Sequence, residues 1–202
     1  LLFFFSVGKK SWYMLELQKA LKFLDYFSLI TVKANKVPNF TWKEQQSKKL
    51  TADEFTRHYN SESTANFGIC TGFEALEVID IDLKVFSTTD EKNNFWEQLL
   101  SLFRNSIFDF DKKVVIYKTK NAGYHIIYKS KRVEKNQKLA KLKGHKEAVI
   151  ETRGLGGYIF VYPENQISEL SYFDVKYISD DDRNSLIRIC RSFDYIEPKK
   201  LE

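Results

Sequence analysis

Cysteine is almost missing from this chain: Cys70 and Cys190 are the two in 202 residues. They stand far apart, without Cys-x-x-Cys or Cys/His ligand spacing, which argues against a zinc site and against a disulfide scaffold. A reducing, cytoplasmic setting is the natural expectation. Prolines number 3 and glycines 8, so no Pro-rich or Gly-rich linker, low-complexity tract or internal repeat divides the chain. Long hydrophobic runs are absent as well. Residues 1–5 are apolar, but that is too short to span a bilayer, and the basic start and cleavage pattern of a signal peptide are lacking. No membrane segment is expected.

Aromatic residues are abundant, with 17 Phe and 11 Tyr, and 43% of the chain is hydrophobic. A sequence of this length and composition can bury a sizeable core, which excludes disorder and fibrous classes. The 32 basic residues exceed 27 acidic ones, for a net charge of +5 and a pI near 9.0. That balance suits a polyanionic partner without proving one. The only methionine, Met14, coincides with the start of an amphipathic pattern. Residues 1–13 are therefore read as an N-terminal extension, 14–195 as one folded domain and 196–202 as a linker or tail.

Leu17, Ala20, Leu21, Leu24 and Phe27 recur at three-four spacing and predict a core-packing helix. A short strand follows at 29–33, then a loop containing Lys36, Pro38 and Trp42. Thr51 with Glu54 forms a capping box that opens a short helix to about Tyr59. Residues 66–70 and 75–83 read as two strands that pair across the Thr71-Gly72 turn. Thr88 with Glu91 opens a second helix, which turns Phe95, Leu99, Leu102 and Phe103 inward. Strands are expected at 113–119, 124–129, 148–152 and 158–162, punctuated by Gly123, Gly154, Gly156 and Gly157. The cationic stretch 131–146 reads as a solvated helix or loop, and Ser179 caps a last helix to about Phe193. Helices and strands interleave, which is a mixed α/β (α+β) order.

Three segments can carry chemistry. Asp80 and Asp82 end a hydrophobic strand on one face, about 7 Å apart by the rise of ~3.3 Å per residue. Two like charges so placed repel unless a divalent cation lies between them; a plain alternative is a strand end meeting solvent. His125 follows Gly123 onto a strand, where the glycine leaves room for a ligand to approach the backbone. The ring can donate a hydrogen bond to phosphate, although a lone His is often just a packed one. Glu151 and Arg153 share a third strand face. The Glu can complete a metal set, and the Arg fork matches phosphate; alternatively they form a simple surface ion pair.

Taken together, these segments resemble the archaeo-eukaryotic primase superfamily, specifically its bifunctional primase-polymerase branch. The resemblance rests on Asp80 with Asp82, on Thr119 through Gly123 to His125, and on Glu151 with Arg153, Gly154 and Gly157. Upstream, Lys36, Pro38, Trp42 and the Asn66 to Gly72 segment extend it, so that it covers roughly residues 30–165. The sequence departs from the family in Ala122 where a second Gly is usual, in Glu151 where Asp is commoner, and in Glu164 after a single Pro163.

The resemblance implies a two-lobed α/β catalytic domain with an RNA-recognition-motif-like sheet and a metal site in the inter-lobe cleft. It also implies a DNA primase/polymerase that adds nucleoside triphosphates along a single-stranded DNA template. Asp80, Asp82 and Glu151 would hold two Mg²⁺ or Mn²⁺ ions, and His125, Arg153, Gly123 and Lys118 would bind the nucleotide. Lys120, the 131–146 stretch and Trp42 would meet the template, with Trp42 or Tyr124 stacking on a base or sugar. A helicase domain or protein is an implied partner. Two rivals stand beside this reading: a non-catalytic single-stranded nucleic-acid-binding module and a metal-dependent nuclease.

Overall fold

The computed structural model describes residues 16–60 and 66–195. Met14, the extension 1–13 and the tail 196–202 lie outside the described residues. Eight strands form two antiparallel sheets among them. The smaller has the order β1-β2-β8, from β1 (Leu29–Val32), β2 (Asn66–Cys70) and β8 (Tyr158–Phe160). The larger runs β4-β5-β3-β7-β6, from β3 (Leu76–Ile81), β4 (Val115–Lys118), β5 (Tyr124–Lys129), β6 (Gln137–Lys141) and β7 (Ala148–Arg153). The helices are α1 (residues 16–24), α2 (Ala52–Tyr59), α3 (Thr89–Ser106) and α4 (Asp180–Arg191). No helix among the described residues is long and apolar enough to cross a membrane.

Both expected capping boxes are present. Thr51 and Thr88 accept from the backbone of Glu54 and Glu91, whose carboxylates reach back to the cap N–H groups. Ser179 caps α4. The apolar pattern of α1 also holds: Leu17, Ala20 and Leu24 are buried, and Phe27 is buried just beyond the helix.

Three sequence expectations need correction. Residues 66–70 and 75–83 do not pair with each other. β2 pairs with β1 and β8, whereas β3 enters the other sheet between β5 and β7. The linker redirects the chain because Gly72, Glu74 and Ala75 all adopt positive φ, and the Thr71 hydroxyl is tied to the Gly154 carbonyl at 2.7 Å. Leu102 faces solvent at 41% exposure, while Trp96 and Leu100 are buried instead. At 100° per residue, Leu102 lies roughly 90° from the centre of the stripe made by positions 95, 96, 99, 100 and 103. Within 131–146 the chain forms β6, with Leu139 and Ala140 buried and Lys138 and Lys141 outward. Lysines on this edge strand discourage pairing with another chain.

The larger sheet is covered on one face by α3 and α4 through Ile79, Ile81, Ile126, Leu99, Phe103 and Leu186. Part of its other face packs through Leu76, Val78, Val115 and Tyr117 on Leu29, Phe67 and Ile159 of the smaller sheet and on α1. Glu77 is fully buried under α4. Arg183 donates to it through Nε at 2.6 Å and Nη2 at 2.8 Å, and the Tyr128 hydroxyl donates at 2.9 Å. This network pins α4 to β3, three residues before Asp80.

Removing one partner of such a pair strands a buried charge, so Arg183→Ala should cost about 3–5 kcal/mol in denaturant unfolding. Replacing Glu77 together with Arg183 by apolar residues of similar volume should cost much less. Ala122 holds φ +64° in the 119–123 turn, a conformation that costs a non-glycine residue about 1–2 kcal/mol. Ala122→Gly should therefore raise stability by about 0.5–1 kcal/mol, after its greater unfolded-state entropy is subtracted. A lower melting temperature would contradict that.

Candidate active site

β3 alternates so that Ile79 and Ile81 enter the core while Asp80 faces the other way. Antiparallel pairing then fixes its neighbours. Asp80 is register partner to His125 on β5 and to Glu151 on β7, Tyr117 lies beyond His125, and Lys138 lies beyond Glu151. Directly opposed side chains share a face, with Cβ atoms ~4.5–5.5 Å apart. One row across the sheet thus brings an imidazole and two carboxylates together from three segments.

This row opens into a cleft of about 310 Å³ lined by Asp80, Asp82, His125 and Arg153 on one side. Lys36, Tyr158, Phe160 and Tyr162 line it on the other. Floor and wall are joined by the turn from β7 to β8. A side chain at Gly157 would meet the Thr71 hydroxyl at 2.6 Å, and one at Gly154 would collide with the Glu134 carbonyl.

Arg153 spans the two carboxylates, donating to Asp80 Oδ2 at 3.1 Å and to Glu151 Oε1 at 2.8 Å. Burial pushes the Glu151 carboxyl up from its ordinary value; Arg153 opposes this, while Asp80 and Asp82 add to it. His125 is 5% exposed, and its Nε2 lies 3.7 Å from Asp80 Oδ1. Its Nδ1 is buried without a hydrogen-bond partner. Burial pulls the His125 pKa below the usual imidazole value, against the attraction of Asp80, so the ring is neutral near pH 7. Asp82 lies just past the strand. Its Oδ1 accepts from the Lys84 backbone at 3.1 Å, and its Oδ2 lies 3.1 Å from Lys84 Nζ.

Among the described residues, no three His, Cys, Asp or Glu side chains are grouped closely enough to hold a metal ion. The expected cluster of three carboxylates is in fact divided: Asp80 and Asp82 line the cleft, whereas Glu151, joined to Asp80 through Arg153, is not among its lining residues. The donor chemistry nonetheless fits a hard divalent cation. The carboxylates are crowded on one face, burial with the charge of Asp80 and Asp82 pushes Glu151 toward protonation, and basic side chains serve as counterions.

Other expected site residues fall elsewhere. Gly123 does not line the cleft: a Cβ there would strike the Ile81 carbonyl, so the missing side chain admits β3 rather than a ligand. Lys118 and Lys120 line a separate shallow depression with Asn165 and Gln166. Tyr124 cannot stack on a base, because it is buried against Trp96 with ring centroids 3.8 Å apart. Trp42 sits behind the wall, edge-on to Tyr158 at 5.1 Å.

The cleft is also lined by Lys36 and Thr119, which the family resemblance includes without a site role, and by Asn136, Tyr158, Phe160 and Tyr162. The alternation of aromatics at 158, 160 and 162 was a visible signal. Nothing in the sequence marked Asn136, whose Oδ1 accepts from Gly154 N–H at 2.9 Å.

A comparison with curated protein sequences finds no match. A family model described as the N-terminal domain of bifunctional DNA primase/polymerases matches residues 19–175, wider than the 30–165 span of the sequence motifs. With the motif strands in register around one cleft and this match over most of its length, the chain belongs to the bifunctional DNA primase/polymerase N-terminal family.

Proposed function

We propose that the chain is a template-directed nucleotidyltransferase that extends a DNA strand, with its active site in the Asp80 cleft. The observation that carries this reading is the register row His125–Asp80–Glu151, whose His125 and Asp80 face a cleft that also holds Asp82, Arg153 and Lys36. Asp80, Asp82 and Glu151 would hold divalent Mg²⁺ or Mn²⁺ ions, which supply charge neutralisation and acidify the attacking hydroxyl.

The chain's own residues do the positioning. Neutral His125 has an unpartnered Nδ1; in the tautomer that carries its single proton there, the ring donates to a triphosphate oxygen and gains a partner. Arg153 already bridges Asp80 and Glu151, and a cation taking those carboxylates frees its fork for phosphate. The 3′-hydroxyl then attacks the α-phosphorus in line, and pyrophosphate leaves. Phosphoryl transfer asks little covalent work of the protein, so positioning and charge account for most of the rate. Lys118 and Lys120, outside the cleft, suit the phosphates of a single-stranded template better than the nucleotide.

Incubation with a primed single-stranded template, labelled triphosphates and Mg²⁺ or Mn²⁺ should give strand extension. The Asp80→Ala, Asp82→Ala chain should lose it by at least about a thousandfold, the several kcal/mol that metal charge supplies, while keeping its circular dichroism spectrum. Strand shortening would instead establish a nuclease, and binding without extension a non-catalytic module. Arg153→Lys, which loses the planar fork, should raise the triphosphate KM by about tenfold; an unchanged KM would remove Arg153 from phosphate contact.

A further inference from the structure

The wall opposite the carboxylates has a pattern of its own. Along β8 and just beyond it, Ile159 and Val161 are buried at 2% and 1% exposure. The alternating residues Tyr158, Phe160 and Tyr162 are half-buried and face the cleft. Their rings follow one another at centroid distances of 6.3 Å and 6.5 Å. Tyr162 lies nearest the imidazole, 5.9 Å from the His125 ring. Tyr158 is braced at the far end by Trp42 and by its hydroxyl bond to the Lys36 carbonyl at 2.8 Å. The Lys36 ammonium stands 5.2 Å from the centroid of Phe160.

A wall built only to exclude water would not need three aromatic faces in sequence. Aliphatic side chains at those alternating positions would pack as well, as Ile159 and Val161 do on the other side of the same strand. Aromatic faces are suited to flat π systems and to sugar rings, and their affinity tolerates any base. The polar floor and the aromatic wall divide one cleft into an anion-binding half and a stacking half.

We propose that Tyr158, Phe160 and Tyr162 form the surface on which the base and sugar of the incoming nucleoside triphosphate lie, while its phosphates reach the floor by His125. This rests on the nucleotidyl-transfer reading of the cleft. Phe160, the middle ring, is the central stacking contact, and the Lys36 ammonium that lies over it gives way to the base and neutralises phosphate charge at the rim. Binding is sequence-tolerant, as a template-directed enzyme requires.

The test is calorimetric titration of the full chain in Mn²⁺ with dATP and, separately, with inorganic tripolyphosphate, which has no base or sugar. Phe160→Ala should weaken dATP by about 5- to 150-fold and leave tripolyphosphate unchanged. Phe160→Leu, which keeps apolar bulk without a π face, should also weaken dATP, whereas Phe160→Tyr should bind it like the parent. Equal losses for both ligands, or unaltered dATP affinity in Phe160→Ala and Phe160→Leu, would overturn the stacking wall while leaving the nucleotidyl-transfer reading intact. Should the parent chain bind neither ligand, that reading itself fails and the wall with it.

Discussion

The placement of β3 between β5 and β7 is the constraint on which the site depends. Side chains on a strand alternate with period two, so a slip of one residue would bury Asp80 and expose Ile79 or Ile81. The apolar face against α3 and α4 sets the register in bulk. Two local devices reinforce it. On the core side, the Glu77 carboxylate is held by Arg183 and Tyr128, and Tyr128 is its register partner on β5. At the strand end, Gly123 lets β5 approach the Ile81 carbonyl more closely than any side chain would permit.

Electrostatics explains how so many charges share so small a region. Asp80 and Glu151 would repel each other across the ladder, and the Arg153 fork answers both at once. Asp82 draws on Lys84, which also bonds Glu147. These partners are 31% and 53% exposed, so solvent screens them and each pair contributes modestly. Such counterions can be exchanged for a stronger cation at small cost. His125 is the opposite case: it is enclosed, neutral and short of one hydrogen bond.

The two sheets contribute differently. The larger provides the ionic floor, and the smaller provides rings. Chain geometry links them at two points, the Thr71-Gly72 turn from β2 to β3 and the Gly154 to Gly157 turn from β7 to β8. The Thr71 hydroxyl bonds Gly154, clasping the two turns together. Glycine is needed at 157 because the Thr71 hydroxyl and the Asn136 side chain occupy the space of a Cβ.

Much was legible in the amino acids themselves. Capping boxes at Thr51 and Thr88, the α1 stripe and most strand positions follow from local chemistry and periodicity, which neighbouring residues alone determine. Asp80 and Asp82 both line the cleft, although the strand ends at Ile81 and Asp82 belongs to the turn that follows. Local rules failed where the partner was distant. Whether β2 meets β3 depends on three positive-φ residues and a hydroxyl bond to a residue far along the chain, and β6 became a strand only because β7 offered an edge. The sequence by itself determined which residues carry charge, rings and turn chemistry. Only the tertiary structure decided that His125 and Glu151 flank Asp80, that Tyr124 stacks on Trp96, and that Tyr158, Phe160 and Tyr162 face the carboxylates. Those outcomes rest on hydrogen-bonded register and sheet-on-sheet packing between segments that no local pattern connects.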